Sequence, residues 1–358
     1  MSWLLAFAGF AVLIILHEAG HFAAAKAVGM RVERFMLFFG RPLVSFRRGE
    51  TEYGIGPIPL GGYVRITGMN PREEFSDDVA VRAYYRQPVW KRIVVILAGP
   101  AVNLVLAFLI LWGLLMVHGI DTSTRRVDAY GLGQPAARYL EPGDRIVSVD
   151  GASGPLAIRT AVARHRCAGR PVDSCVATTP AHVIVERDGH RLAFDIRPRY
   201  DATQGIERTR LGFTYAIDTR GVGPLDAADR SVSGMWYVTK RSVSTFARLF
   251  EAEQRKQVGS VVGAYEATRQ TIESDIARAF ELLAIISLSL AIINLFPFLP
   301  LDGGHIFWAL AEKVRGRAIP FSVMERASAV GFVLVIMLFV IGLSNDIGRL
   351  QDGTLNPR

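Results

Sequence analysis

The chain lacks charge at its N-terminal end, because no Asp, Glu, Lys or Arg precedes Glu18. A secretory signal peptide begins with basic residues and ends at a small-residue cleavage site, and this segment has neither. The apolar stretch at residues 3–28 is long enough to cross a bilayer. We therefore expect it to remain in the protein as a membrane span.

Internal repeats and low-complexity tracts are also absent, and apolar residues dominate instead. Half of the 358 residues are hydrophobic and the mean hydropathy is +0.26, which is too apolar for an ordinary soluble protein. Four stretches have about the length and composition of a membrane span, at residues 3–28, 93–117, 282–300 and 327–343. The composition therefore predicts a polytopic α-helical membrane protein with four transmembrane helices.

The net charge of +8 is concentrated between the predicted spans. Twelve Lys and Arg residues lie between Lys26 and Arg92, and four more precede the fourth span at Lys313, Arg315, Arg317 and Arg326. Basic loops of this kind stay in the cytoplasm. This placement favours a plasma-membrane protein over a nucleic-acid-binding one. It puts the N-terminus, residues 118–281 and the C-terminal tail outside the cytoplasm.

The first charged residue lies inside a metal-binding pattern, His17-Glu18-Ala19-Gly20-His21. Two histidines four residues apart share one face of a helix and can bind one zinc ion. Glu18 is then placed to accept a proton from a water that the metal activates. A charge inside a span costs roughly 2.5–3.5 kcal/mol on insertion scales, so Glu18 marks a functional site at membrane depth.

A catalytic zinc usually has three protein ligands, so a third one is expected at similar depth. Asp302 is the first choice, because it follows a span that the polar Asn294 and the prolines Pro297 and Pro300 interrupt. A broken helix in a membrane is tolerated where it lines a polar site. His305 is the alternative ligand, and Asp302 would then only cap the following helix.

Asn103 is a further polar residue in an apolar span, within the small-residue segment at residues 98–103. Small residues allow two helices to approach closely, so packing alone would explain the segment. The Asn103 amide could instead donate a hydrogen bond to a developing oxyanion.

Residues 40–68 read as short strands, with 44–47 and 51–55 flanking a hairpin turn and 63–66 following later. The segment is rich in apolar and aromatic residues. We predict a membrane-re-entrant β-hairpin or sheet that the protein shields from lipid.

Together these motifs resemble the site-2 protease family of intramembrane zinc metalloproteases. The segments HEAGH, GPAVN, PIPLGGYVRITG and NLFPFLPLDGG resemble the family's elements in order and spacing over nearly the whole chain. Pro300 is one place later than the second proline of many members, which changes the local path near the substrate and leaves the Asn294-to-Asp302 spacing intact.

The resemblance implies one Zn²⁺ per chain and cleavage of a transmembrane segment after a first cut outside the membrane. Its implied substrates are single-pass membrane proteins, such as anti-sigma factors or remnant signal peptides. Asn294 would hold the unwound substrate backbone.

The external region at residues 121–218 alternates strand and turn signals, and LEPGDRIVSVDG resembles a single circularly permuted PDZ domain of α+β type. Leu211, Gly212 and Phe213 are the candidate peptide-binding loop. The domain either binds a peptide or only excludes bulky substrates, and both interpretations stay open. Cys167 and Cys175 lie in this region and are expected to form a disulfide in an oxidising compartment, with two free thiols as the alternative.

The predicted organisation therefore has five parts. The membrane core comprises residues 1–120 and 279–345, and the PDZ domain lies between them at 121–218. An amphipathic helical linker occupies 219–278, lying on the bilayer, over the core or against the preceding domain, and a tail occupies 346–358. Two other functions remain as alternatives, a non-catalytic PDZ adaptor and a metal or proton transporter.

Overall fold

The structure is a computed structural model that describes residues 2–70, 73, 76–130, 134–202, 207–248, 251, 263–265 and 276–351. The chain divides into two compact units. Unit 1 contains Met1–Val117 and Gly223–Arg358, and unit 2 contains His118–Val222. The predicted PDZ region at 121–218 lies within unit 2.

Unit 1 begins with a long helix that leads into a small sheet. Helix α1 is Ser2–Ala27, and the strands are β1 (Val32–Phe39), β2 (Val44–Arg48), β3 (Thr51–Ile55) and β4 (Ile58–Ile66). A short helix α2 (Asp77–Ala80), a 3-10 turn (Tyr84–Arg86) and the long helix α3 (Val89–His118) follow. The residues of α1 are apolar on average on every side of the helix, so α1 has no polar face that would have to contact water.

The four strands of unit 1 form one sheet in the order β2-β3-β1-β4. Strand β1 pairs with β3 in parallel and with β4 in antiparallel, and β2 and β3 form the predicted hairpin. Strand β4 begins at Ile58, five residues before the predicted strand at 63–66. Among the described strands β4 pairs only with β1, which leaves its other edge open, and it packs on α1.

Unit 2 is a sheet with one helix across it. Its strands are β5 (Ile120–Tyr130), β6 (Arg145–Val149), β7 (Ala181–Arg187), β8 (His190–Ile196), β9 (Arg199–Asp201), β10 (Arg208–Arg210) and β11 (Phe213–Arg220). Helix α4 (Pro155–Val162) follows β6, and a 3-10 turn (Pro135–Arg138) follows β5. The five-stranded sheet has the order β11-β5-β6-β7-β8, and β9 pairs with β10 separately.

The core of unit 2 lies on one face of the sheet. Alternate residues of β7 point to that face, and a register shift between Ile146 and Ser148 of β6 places Ile146 and Val149 opposite Val185 and Val183. Val183 and Val185 of β7 are fully buried there, together with Ile146 and Val149 of β6. Ile158 and Val162 of α4 cover this surface, so α4 is fixed to the sheet by packing.

Four further helices of unit 1 have bounds within the described residues. They are α5 (Pro224–Ala247), α6 (Ile276–Asn294), α7 (Asp302–Arg315) and α8 (Phe321–Gln351). Met235 and Val238 of α5 pack on a cluster formed by α3 and α6, while Trp236 and Tyr237 are exposed. The predicted amphipathic linker thus lies over the core along α5, and most of its later part is outside the described residues.

Within the described part of the chain, four helices are long and apolar enough to cross a membrane. These segments are Leu4–Ala27, Val89–His118, Ile276–Asn294 and Ser322–Gly348. The predicted third span at 282–300 differs from the helix at both ends. Helix α6 ends at Asn294, because Pro297 cannot donate a helical hydrogen bond and also restricts the residue before it.

Candidate metal centre

Close contact between α1 and α3 brings the histidines of α1 against the start of α3. A Cβ atom at Gly20 would lie 2.6 Å from the Ala98 carbonyl oxygen, and one at Gly99 would overlap His21 Nε2. Larger residues at either place would therefore separate the two helices. The small residues predicted to allow close approach are the ones that do so.

The ring of His21 is oriented by the backbone of α3. Its Nδ1 lies 2.8 Å from the carbonyl oxygen of Val95, and the ring is buried. A carbonyl oxygen only accepts, so Nδ1 must carry the hydrogen. In the neutral ring Nε2 then presents a lone pair, which is the form that a metal binds.

The ring of His17 is oriented by Asn103, which is completely buried. The Asn103 amide nitrogen lies 3.1 Å from His17 Nδ1, and Asn103 Oδ1 has no hydrogen-bond partner among the described atoms. Turning the amide over would let Oδ1 accept from Nδ1–H, the tautomer that frees Nε2 for a metal. The oxyanion contact of Asn103 stays a prediction, since the contact seen is with His17.

Asp302 brings the third ligand atom to the same point. Its Oδ2 lies 3.3 Å from His17 Nε2 and 3.2 Å from His21 Nε2, and the two Nε2 atoms are 3.3 Å apart. Asp302 is the first residue of α7, the N-cap is Leu301, and no side chain caps the helix. The carboxylate therefore faces the histidines and does not serve as a cap.

The triangle of donor atoms fits zinc in size and in chemistry. Ligand atoms of a tetrahedral zinc site lie about 3.3–3.4 Å from one another, because each is about 2.0–2.1 Å from the metal. Two ring lone pairs and a carboxylate oxygen at this spacing repel one another unless a cation lies between them. Asp302 Oδ2 is buried without a hydrogen-bond donor, as a metal ligand would be.

His305, the rival third ligand, is outside this group. Among the described residues, the His, Cys, Asp and Glu side chains that converge closely enough to hold one metal are His17, His21 and Asp302. His305 lines the adjoining cavity. The structure thus favours Asp302, and metal binding by each residue remains to be measured.

Glu18 lies beside the triangle and against strand β4. A Cβ atom at Gly62 would lie 2.9 Å from Glu18 Cγ, so only glycine allows this approach. Val64, two residues on in β4, lines a cavity together with Glu18. The open edge of β4 therefore faces the catalytic side of the site.

A cavity of about 550 Å³ opens in front of these residues. Its walls are the metal triangle with Glu18, the β4 segment Gly61–Val64, and Phe332 and Val335 of α8. Asn294, the last residue of α6, also lines it, with its amide nitrogen 3.4 Å from His17 Nε2. The residues predicted for the metal, the base and the substrate contact are thus brought together.

An ion pair that the sequence did not reveal joins α3 to α7. Arg92 is buried and makes a bidentate contact with Glu312, at 3.0 and 2.7 Å. Glu312 lies on the helix that begins with Asp302, and Arg92 lies one turn before Val95. The pair therefore ties the helix that carries the carboxylate to the helix that orients both histidines.

The predicted residues of unit 2 belong to the fold of that unit. Leu211, Gly212 and Phe213 form the turn into β11, and Gly212 has φ +79°. Cys167 and Cys175 are joined by a disulfide with a Cα–Cα distance of 6.1 Å, so the bond closes the loop between α4 and β7.

Comparison with known proteins agrees with this site. The family model described as Peptidase family M50 matches residues 5–338. Zinc metalloprotease Rip1 of Mycobacterium tuberculosis is 30% identical over 378 residues, covering 91% of this chain and 92% of the relative. Rip1 of Mycolicibacterium smegmatis is 31% identical, covering 85% and 84%. A relative from Synechocystis is 32% identical, covering 94% and 92%.

Proposed function

Because the chain belongs to peptidase family M50, the site-2 protease family, and is a multi-pass intramembrane zinc metalloprotease, we propose that it cuts single-pass membrane proteins inside a transmembrane segment. Anti-sigma factors and remnant signal peptides are the substrate classes we expect. The observation that carries the proposal is the metal triangle, because two of its three residues, His17 and His21, lie on α1, a helix that could itself cross the bilayer.

The residues of the site have separate roles in the proposed reaction. Zinc, when held by His17, His21 and Asp302, supplies a Lewis acid that polarises a carbonyl and lowers the pKa of water. The Glu18 carboxylate takes the proton from the attacking water and passes it to the leaving amide nitrogen. Burial of both histidines keeps competing water away from the ligand atoms.

The open edge of β4 supplies a way to hold the substrate. A helical substrate hides its scissile amide in its own hydrogen bonds, so it must unwind before cleavage. An unwound segment can then add to β4 as an extended strand, which places its backbone next to Glu18. The Asn294 amide lies near enough to hold a freed backbone group on the opposite wall.

We place the sheet of unit 1 as a re-entrant element and unit 2 outside the cytoplasm as a PDZ-like domain. The charge asymmetry supports this orientation, because both basic loops would then face the cytoplasm. Unit 2 supports the PDZ-like assignment by its arrangement, in which one helix lies across a sheet that ends in β11. Partners would be the lipid bilayer, membrane substrates and a peptide ligand of unit 2.

Cysteine labelling tests the orientation. A single cysteine placed near Glu73 should react only from the cytoplasmic side, and one near Ala202 only from outside. The native pair Cys167 and Cys175 is replaced by serine in both variants so that only the new thiol reacts. Labelling of each cysteine from the opposite side would show that the proposed orientation is wrong. Unit 2 would then face the cytoplasm, which is not the oxidising compartment expected for it.

The decisive test of the activity uses purified full-length protein and a candidate membrane-spanning substrate, with and without a zinc chelator. Glu18→Gln should retain zinc by metal analysis while cleavage falls by about 10²–10⁴-fold, because the ligands stay and proton transfer is lost. Chelator should abolish cleavage by the native protein. Cleavage that survives both treatments would reject the roles of zinc and Glu18, whereas no cleavage by the native protein would favour the adaptor or transporter interpretations.

A further inference from the structure

A polar pocket of about 610 Å³ lies on the sheet of unit 1, between β2 and the start of β1. We call it the β2 pocket. Ser45, Phe46 and Arg47 of β2 line it, together with Arg31, the residue before β1. None of these residues has a role in the proteolytic reaction described above.

The carboxylates that line the β2 pocket are already paired with cations of the same unit. The pairs lie at 2.5–3.0 Å and are Glu33 with Arg65, Glu52 with Arg34, and Glu50 with Lys26 and Arg82. The hydrogen bonds from Arg82 and Lys26 lower the pKa of Glu50 to about 2. These carboxylates are therefore ionised and engaged near neutral pH.

Two arginines of the β2 pocket are left without such a pair. Among the described residues, no carboxylate lies within ion-pair distance of Arg31 or Arg47. Arg47 is opposite Glu52 in the register of β2 and β3, but the ion pair of Glu52 is made with β1. The pKa of Asp78 is lowered chiefly by a hydrogen bond from Ser76 and least by the charge of Arg31. Two positive charges thus remain open to an anion.

Beside the pocket, β2 changes from apolar to basic over a few residues. Leu43 and Val44 are each 70% exposed and Phe46 is 63% exposed, and Arg47 and Arg48 follow directly. A strand rises about 3.3 Å per residue, so Leu43 and Arg47 are roughly 13 Å apart along the chain. The headgroup layer of a bilayer is about 5–8 Å thick. This part of β2 can therefore reach from the hydrocarbon into the headgroups.

The pocket lies at the end of α1 from which the first basic loop begins. Glu50, in the turn between β2 and β3, contacts Lys26 in the last turn of α1. In the orientation proposed above, this end of α1 faces the cytoplasmic leaflet. Anionic lipids give that leaflet a negative surface, and each nearby Arg or Lys adds about 1 kcal/mol of attraction to it.

From these features we propose that the β2 pocket binds the phosphate of an anionic phospholipid in the cytoplasmic leaflet. The guanidinium groups of Arg31 and Arg47 donate to the phosphate oxygens, and the Ser45 hydroxyl is a further donor. The acyl chains lie along Leu43 and Val44. The inference rests on the proposed orientation of the basic loops and is independent of the peptidase reaction, since it assigns a lipid site outside the metal centre.

Lipid binding to delipidated full-length protein in an uncharged detergent tests the proposal. Native mass spectrometry follows titrations with phosphatidylglycerol and with phosphatidylcholine of identical acyl chains. Phosphatidylglycerol should bind at least about tenfold more tightly, because phosphatidylcholine has no net charge and carries its own cation beside the phosphate. Equal affinity of the two lipids overturns the proposal.

Inorganic phosphate in large excess distinguishes a lipid site from a site for free phosphate. It should leave phosphatidylglycerol bound, because it lacks the acyl chains that contact Leu43 and Val44. Displacement of the lipid by phosphate would overturn the lipid assignment. No cleavage is measured in these titrations, so their failure is distinct from failure of the peptidase assignment.

Matched arginine variants separate this pocket from general charge attraction. Arg47→Gln should weaken phosphatidylglycerol by about tenfold and leave phosphatidylcholine nearly unchanged, and Arg31→Gln should do the same. The control is Arg48→Gln, which makes the same charge change on the next residue of β2, outside the pocket lining and on the other face of the strand. Arg47 and Arg48 are both exposed, so neither change should disturb the fold. Equal losses in Arg47→Gln and the control would reject the pocket as the site.

Discussion

Two carboxylates with buried oxygen atoms, Asp302 in unit 1 and Asp144 in unit 2, differ in which groups contact those oxygens. Asp144 accepts from Arg187 Nε on one oxygen, and from Arg187 Nη2 and the Glu141 backbone N–H on the other. Asp302 Oδ2 has no hydrogen-bond donor among the described atoms and faces two ring nitrogens.

This difference in hydrogen bonding distinguishes a carboxylate that stabilises the fold, Asp144, from one that is free to bind a metal, Asp302. Asp144 has its hydrogen-bonding capacity filled by its own chain, so it ties the turn before β6 to β7 and has nothing left to bind. Asp302 is held in place by α7, and its Oδ2 has no hydrogen-bond donor among the described atoms. A buried oxygen without a partner costs free energy unless a cation binds to it. Loss of Asp302 should therefore remove function, and loss of Asp144 should remove stability.

The largest effect is expected for the ligand. Asp302→Ala should lose zinc and all measurable cleavage, because two histidines alone make an incomplete site. Metal analysis of the purified variant checks this, and His305→Ala serves as the control that should retain zinc. Full zinc in Asp302→Ala together with loss in His305→Ala would show that the third ligand is His305.

A smaller loss is expected when the space around the ligands is filled. Gly99→Ala places a methyl group against His21 Nε2, so the ring must move or α1 and α3 must separate. Zinc affinity should fall by about 10–100-fold in a chelator competition, as it does when the groups that orient a ligand are lost.

Gly113→Ala is the matched control for this change. Gly113 lies on the same helix, with no atom within 4 Å of the added Cβ. Its zinc affinity should equal that of the native protein. Equal affinities for both variants would mean that the contact between α1 and α3 does not set the ligand geometry.

Much of the metal centre could be predicted from the sequence because its signals are local. His17 and His21 are four residues apart on one helix, and Asp302 stands out as a charge beside an interrupted apolar span. The hairpin of β2 and β3 was equally visible, since a turn separates two alternating segments. These features depend on neighbours in sequence.

The remaining features depend on contacts distant in sequence and leave little trace in it. The carbonyl of Val95 orients His21 across 74 positions, and any residue type would supply such a carbonyl. Arg92 meets Glu312 across 220 positions, and the sequence shows it only as one more basic loop residue. Which edge of the sheet faces Glu18 also follows only from the packing of β4 on α1.

The smallest effect is expected for the structural carboxylate, and it depends on pH. Burial alone would raise the pKa of Asp144, but the hydrogen bonds from Arg187 and the Glu141 N–H outweigh it and lower the pKa. A carboxyl with a lowered pKa stabilises the fold above its unfolded pKa of about 3.9, and this stabilisation is lost as the pH falls through the folded value. Asp144→Asn should therefore cost about 1–3 kcal/mol at neutral pH.

Thermal unfolding from about pH 7 to about pH 3 measures this dependence. The difference between Asp144→Asn and the native protein should shrink as the pH falls from about 4 toward the lower folded pKa, because the unfolded carboxyl then binds a proton more readily than the folded one. The control is Asp195→Asn, which removes an exposed carboxylate paired with His182 and should change stability by less than about 1 kcal/mol. Zinc content should stay unchanged in both variants. The separate roles of Asp144 and Asp302 would be rejected if the stability difference were as large in acid as at neutral pH. They would also be rejected if Asp144→Asn lost zinc.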